Sequence, residues 1–263
     1  MDLGLRDRIA LVTGASRGIG HGIASALACE GVHLGLLGRD IERCQELGYG
    51  LREQYQKVRV LERRLDLNQT AAIPEVVRSI AEELGGIDIL VNCAGGAYRG
   101  KLLEIPDSEW ERWFQVKPLG LIRMTRECLP WLRKSSQARV INIAGIFGRE
   151  PAKFSVMGAP INMATLSVTK ALANELGPQG ITVNAISPGP TDTGRGHELV
   201  KLTARDLGVT QAEAEIHLLR EVPMRRVLKV EDIAALTLFL ASSHAGMISG
   251  TAINIDGGRS RSI

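Results

Sequence analysis

The sequence predicts a single α/β domain with a parallel sheet of about seven strands, wound in both directions from its middle and covered by helices on both faces. Three observations lead there. Short apolar runs alternate with helical patterns along nearly the whole chain, a rhythm that gives right-handed crossovers and a doubly covered parallel sheet. Several runs end in turns rich in glycine, asparagine or proline, at the strand ends where such sheets bind ligands. The 263 residues, 44% of them hydrophobic, suffice for one large core, and no internal repeat, low-complexity tract or linker divides them.

The first strand, residues 9–12, stops at Thr13-Gly14-Ala15-Ser16-Arg17-Gly18-Ile19-Gly20, and a helical pattern starts directly after it. This is a phosphate cradle: glycines let backbone N–H groups approach an anion, and the helix turns the positive end of its dipole toward it. Gly14, Gly18 and Gly20 stand four and two apart, unlike the common G-x-G-x-x-G fingerprint. Ile23, Ala24, Ala26, Leu27 and Ala28 supply the helix face, and residues 32–37 form a buried strand ending at Gly38-Arg39. A charged helix over 41–56 leads to a third strand at 58–61, followed by Asp66-Leu67-Asn68. Residues 74–84 are helical, and the strand at 87–91 runs into Asn92-Cys93-Ala94-Gly95-Gly96. A helix over 108–132 carries Trp110, Trp113, Phe114, Leu121 and Leu129, ahead of a strand at 139–143 and a helix at 162–176. The sixth strand, 182–186, ends at Pro188-Gly189-Pro190-Thr191-Asp192-Thr193. The alternation breaks over 194–222, a polar helical insertion in which Thr210 and Glu213 have capping-box spacing. An amphipathic helix at 231–240 and a strand at 252–255 close the fold.

Composition narrows the partners. The 32 basic and 29 acidic residues are interspersed, for a net charge of +3, which argues against a nucleic-acid surface. Four scattered cysteines without a C-x-x-C pair suit a reduced compartment, and the five histidines form no metal-spaced cluster. Residues 1–10 do not read as a leader, and no apolar run is long enough to cross a bilayer. A soluble, cytoplasmic protein with a small-molecule partner, no metal and no membrane contact is expected.

With these pieces in order, the chain resembles the short-chain dehydrogenase/reductase family over nearly its whole length. Thr13-Gly14-x-x-x-Gly18-x-Gly20 fits the family's cofactor turn, Asn92-Cys93-Ala94-Gly95 its N-N-A-G loop with one substitution, and Pro188-Gly189 with Thr193 its sixth-strand turn. The segment Ser249-Gly250 to Gly258 is similar to the family's β-ketoacyl carrier-protein reductase branch, and Met1 to Leu5 resembles a divergent relative of that branch. The resemblance implies a Rossmann-type, seven-stranded fold, a nicotinamide cofactor across the switch point, and a tetramer or dimer. It places cofactor contacts at Gly14, Ser16, Arg17, Gly18, Ile19, Gly20, Arg39, Asp66, Leu67, Asn92, Ala94, Gly95, Pro188, Gly189, Thr191 and Thr193. Arg17 and Arg39 set guanidinium groups, not a carboxylate, where an adenosine 2′-phosphate would lie, so NADP(H) is expected over NAD(H). Each arginine taken alone also reads as a solvated surface charge, and Asp66 as a helix cap. The apolar face Ile233, Leu236, Thr237 and Leu240 belongs either to an oligomer contact or to the core.

The family's catalytic residues are replaced. Tyr49, Tyr55 and Tyr98 are the only tyrosines, and none has lysine four residues on. Registers from residues 140–143 and 181–184 put Gly145 at the family's serine, Gly158 at its tyrosine and Asn162 at its lysine; Lys117 stands at its asparagine. Two side chains offer a replacement proton donor: Lys117, whose other reading is a surface lysine, and Tyr98, whose other reading is substrate packing. Cys93 reads as a small supporting residue. Three functions follow: an NADP(H)-dependent oxidoreductase with an atypical site, favoured here; a nucleotide-binding pseudoenzyme that senses or scaffolds; or a non-redox enzyme on the same fold.

Overall fold

The computed structural model describes residues 2–96, 100–153 and 155–261. Its strands are β1 (Ile9–Thr13), β2 (His33–Gly38), β3 (Val60–Arg64), β4 (Ile89–Asn92), β5 (Arg139–Ile143), β6 (Thr182–Pro188) and β7 (Ala252–Ile255). The helices are α1 (Gly18–Cys29), α2 (Ile41–Gln54), α3 (Ile73–Leu84), α4 (Asp107–Val116), α5 (Pro118–Leu132), α6 (Gly158–Leu176), α7 (Gly194–Leu207), α8 (Gln211–Arg220) and α9 (Val230–Ala241). All seven strands pair in parallel in the order β3-β2-β1-β4-β5-β6-β7. The winding direction reverses between β1 and β4, which opens a crevice at their carboxyl ends.

Alternation along the strands divides the core in two. Ala10 and Val12 of β1 join Leu34 and Leu36 of β2 beneath α1, α2 and α9, whereas Leu11 and Leu37 face α3, α5 and α6 on the other side. Helix α1 lies so close to α9 that a Cβ on Gly22 would overlap the Val230 side chain. The face of α9 that the sequence left open resolves toward the core: Ile233, Thr237 and Leu240 are fully buried within the protomer.

Three sequence expectations shift. The third strand lies at Val60–Arg64, where pairing from Leu34↔Val60 to Gly38↔Arg64 sets its register. It is an edge strand, so Glu62, Arg63 and Arg64 are tolerated, and Arg52 pairs with Glu62 at 2.6 Å. The helix expected over 108–132 is two helices that meet at Lys117 (φ −96°, ψ −73°). Pro118 supplies no N–H and its ring crowds the preceding residue, so the first helix ends there and the second starts on the proline. The helix read as 162–176 begins one turn earlier, at Gly158.

The stretch at 194–222 folds as α7 and α8, separated by Gly208 in a left-handed conformation (φ +66°). Thr193 caps α7 by accepting from the Gly196 N–H at 3.2 Å. The Thr210–Glu213 capping box forms as its spacing requires. Among the described residues no helix is long and apolar enough to cross a membrane.

Candidate active site

The turn after β1 has the backbone an anion site needs. Gly14 (φ +71°) and Gly18 (φ +60°) adopt conformations that a side chain would disfavour. A Cβ on Gly14 would also lie 2.9 Å from Ala94 Cα. Gly20 is packed onto the Gly14 carbonyl. Helix α1 starts after an extended Arg17, with no side chain capping it and no acid in its first turn. Its leading N–H groups and positive dipole end therefore face the crevice without a competing carboxylate. Ile19 rests on the apolar cluster under α1.

The remaining cofactor candidates line the ends of neighbouring strands. Ser16 lies over the end of β2, 3.3 Å from where a Gly38 Cβ would stand, and Arg39 is exposed just beyond. Asp66 accepts from Asn68 through its N–H and side-chain amide, both at 3.0 Å, and so forms a local turn after β3. Leu67 is buried against Gly120 of α5. Thr13 Oγ1 accepts from the Cys93 and Ala94 N–H groups, each at 3.0 Å, which ties the β1 turn to the β4 loop. Asn92 donates to Asn142 at 2.9 Å, and Asn142 donates to Thr169 of α6 at 2.9 Å. Asn92 Oδ1 is buried without a partner among the described residues, an acceptor aimed at no protein group. Pro188 ends β6, Gly189 packs on Asp256, Thr191 Oγ1 donates to the Gly189 carbonyl at 3.0 Å, and Thr193 stands beside Gly18.

Lys117 turns inward. Its ammonium donates to Asn162 Oδ1 at 2.7 Å and to the Ala144 carbonyl at 3.0 Å, drawing together α5, β5 and α6. Because an ammonium can only donate, the amide oxygen of Asn162 must face it. The amide nitrogen then lies 3.1 Å from where a Gly145 Cβ would be. Desolvation, with Arg195 adding repulsion and the Cys93 thiol opposing, lowers the Lys117 pKa to about 7. Its two internal partners set this ammonium apart from a fully solvated surface lysine. Burial pushes the Cys93 thiol up to about 12, which leaves it no thiolate at neutral pH and suits a supporting residue. Gly158 opens α6, and Tyr98 lies outside the described residues.

Sequence reasoning missed Arg195. From the first turn of α7 its Nη1 donates to the Gly95 carbonyl at 3.0 Å and lies against Gly96. Desolvation lowers its pKa, with Glu198 opposing and Arg17 adding repulsion. A cation in a helix's first turn stands at the unfavourable end of the dipole, and that anomaly was the available signal. The Trp113 ring also lies against Gly96, its Nε1 fixed on Glu109 at 2.9 Å. Trp110, Trp113 and Phe114 pack on Ile105, Met157 and Ile161 as an apolar wall. His197, by contrast, pairs with Asp192 at 3.0 Å on the surface.

Residues 14–260 match the family model for enoyl-(acyl carrier protein) reductase. The short-chain reductase protein NovJ of Streptomyces niveus is 32% identical over 254 residues, covering 97% of this chain and 94% of its own. The chain belongs to the short-chain dehydrogenase/reductase family. D-beta-hydroxybutyrate dehydrogenase of Rhizobium meliloti is another relative, 30% identical over 257 residues, with 95% of this chain and 98% of that protein covered. Among solved structures, L-sorbose reductase from Gluconobacter frateurii, complexed with NADPH and L-sorbose, superposes with a TM-score of 0.93 at 30% identity over all of both chains. For a short-chain dehydrogenase/reductase, the open switch point and the glycine cradle are the parts the fold supplies; Lys117, Asn162 and Arg195 stand beside them.

Proposed function

We propose that this chain is an NADP(H)-dependent oxidoreductase interconverting a carbonyl and an alcohol, with Lys117 as the proton donor and acceptor. The observation that carries the reading is the inward ammonium, held at 2.7 and 3.0 Å with a pKa near 7. The cofactor fits the residues present: an uncapped α1 terminus behind the left-handed Gly14 and Gly18 suits a diphosphate, and Arg17 and Arg39 suit a 2′-phosphate. Gly14, Ser16, Gly18, Ile19, Gly20, Asp66, Leu67, Ala94, Gly95, Pro188, Gly189, Thr191 and Thr193 complete that set. The NADPH complex of L-sorbose reductase and the name of a second relative, the NADPH-dependent reductase BacG of Bacillus subtilis, support the choice of nucleotide.

When bound, the nicotinamide supplies or takes a hydride. The protein's task is the proton. Lys117 has three N–H donors, and Asn162 and Ala144 engage two, which orients the third. In reduction that N–H donates to the substrate oxygen, the proton passes to it as the carbonyl carbon gains hydride, and the neutral amine is reprotonated from solvent. In oxidation the neutral amine takes the hydroxyl proton. Gly145 and Asn162 fit this site as a pair, since a serine at 145 would press its Cβ on the amide that holds Lys117. Helices α7 and α8 serve as the substrate insertion of the single domain.

The test is NADPH oxidation measured against a panel of ketones and aldehydes across pH. Turnover in reduction should be highest below pH 7 and fall as pH rises through about 7, and oxidation should show the opposite slope. A profile flat through that range removes Lys117 from the role. We also assign a homo-oligomer, tetramer or dimer, on the family resemblance of the last helix and strand; a monomer mass by light scattering at micromolar concentration would refute it.

A further inference from the structure

Among the described residues Lys117 is the one lysine that is not exposed. Its Nζ sits between two neutral oxygens, Asn162 Oδ1 at 2.7 Å and the Ala144 carbonyl at 3.0 Å. The titratable groups that face it are Arg195 from α7 and Cys93 from the loop after β4. Neither is negative at neutral pH, because burial keeps the Cys93 thiol protonated. An ammonium desolvated between neutral oxygens, with a guanidinium nearby, gives up its proton more readily than a solvated one.

The same two oxygens orient what remains once that proton has left. A primary amine has two N–H groups and one lone pair. Asn162 and Ala144 take up both N–H groups, so the lone pair falls along the third direction, the one in which the ammonium would deliver its proton. Reactive electrons are thereby fixed in place on an amine whose desolvation makes it nucleophilic. Beside it Ala144 and Gly145, both partly exposed, carry nothing larger than a methyl group that would oppose a tetrahedral carbon on Nζ. The protonated Cys93 thiol does not compete for such a carbon.

We infer that Lys117 is a nucleophile as well as an acid, and that its free amine captures small aldehydes and ketones as an imine. The nitrogen lone pair forms a bond to the carbonyl carbon, and the π pair moves to oxygen, which takes up a proton. The nitrogen then loses a proton, the hydroxyl leaves as water, and the C=N bond is complete. One amine and one carbonyl give one imine and one water, with no change of oxidation state. The inference goes beyond the oxidoreductase reading, since it uses the amine and no hydride.

Reductive trapping tests it. The purified protein, without added nucleotide, is treated at pH 7 with limiting propanal and sodium cyanoborohydride, and the propylated lysines are located by peptide mass mapping. An amine that titrates near 7 is half free at that pH, whereas an ordinary lysine, titrating at about 10.4, is free in about 0.04% of molecules. Lys117 should therefore be labelled roughly 10-fold or more faster than any exposed lysine. Asn162→Asp keeps an oxygen acceptor on Nζ but makes it a carboxylate, which favours the ammonium. Labelling of Lys117 at pH 7 should then slow by roughly 10-fold or more and recover at higher pH, while labelling of the exposed lysines and the far-ultraviolet circular dichroism stay unchanged. Lys117 labelled no faster than the exposed lysines overturns the inference, and so does an Asn162→Asp protein that labels Lys117 as fast as the wild type. The two readings of the site fail separately. Preferential labelling without NADPH-dependent turnover refutes the oxidoreductase and keeps the nucleophile; turnover that falls through pH 7 without preferential labelling does the reverse.

Discussion

On the β1–β3 side of the switch point the crevice is bordered chiefly by a main-chain turn, and on the β4–β6 side by interlocked side chains. Gly14, Gly18 and the uncapped start of α1 offer N–H groups fixed by left-handed turns and a helix axis. Lys117 from the α4–α5 junction, Asn162 from α6 and Arg195 from α7 instead hold one another or a carbonyl. A main-chain surface tolerates few residue types and recognises what phosphates share. A side-chain surface is re-made by single substitutions, so chemistry and specificity diverge there without disturbing the cradle.

The comparison breaks most sharply at Lys117. Lys117→Met keeps much of the stem and removes the proton, and NADPH-dependent turnover should fall by about 10²- to 10⁴-fold while nucleotide affinity changes less than about threefold. Turnover that survives the change would turn attention to Tyr98 or to a donor on the substrate. The same variant should be more stable at pH 7 by on the order of 1–3 kcal/mol, read from urea midpoints. The sign follows from the lowered pKa: from about 7 upward the unfolded lysine keeps a proton that the folded one has lost, so the wild-type protein gains stability as pH rises toward the free lysine value. At and below pH 7 the full cost of the desolvated ammonium is present, and the variant lacks that slope.

On the main-chain side, Arg39→Asp should act on the nucleotide alone. One charge-assisted hydrogen bond is worth about 1.5–3 kcal/mol, so replacing it by repulsion should swing the NADP+ to NAD+ affinity ratio by roughly 10- to 100-fold or more. Equal affinities in the unmodified protein would deny Arg39 its role. The smallest effect belongs to Gly22→Ala. Overpacking against Val230 costs about 1–3 kcal/mol and the gain in helix propensity returns about 1 kcal/mol, so the urea midpoint should drop slightly with nucleotide preference unchanged.

The two sides also differed in how far the sequence disclosed them. The cradle was legible because its conformation demands particular residues at particular spacings: Gly14 and Gly18 are read in the chain before they are seen in space. The winding of the sheet followed from the strand rhythm in the same way. The loss of Y-x-x-x-K was equally plain, as was the position of Lys117. What the sequence could not give was the environment of that lysine, which depends on the Ala144 carbonyl and the Asn162 amide arriving within 3.0 Å of its ammonium. Pro118 was visible, yet its breaking of a long apolar pattern was outweighed by the periodicity on either side. Arg195 stayed hidden because its partner, the Gly95 carbonyl, lies on a distant strand loop.

The packing of α1 has a consequence for synthesis. The cradle is encoded at residues 13–20, but surfaces against which it closes are encoded much later in the chain: Val230 seats Gly22, and Thr193 stands beside Gly18. Until those later residues are made, the glycine turn and α1 therefore lack these counterparts. The nascent chain must shelter Ile23 and Leu27 by other means until α9 emerges, and a ribosome that stops before α9 releases a chain with the binding motif intact and the binding site unbuilt.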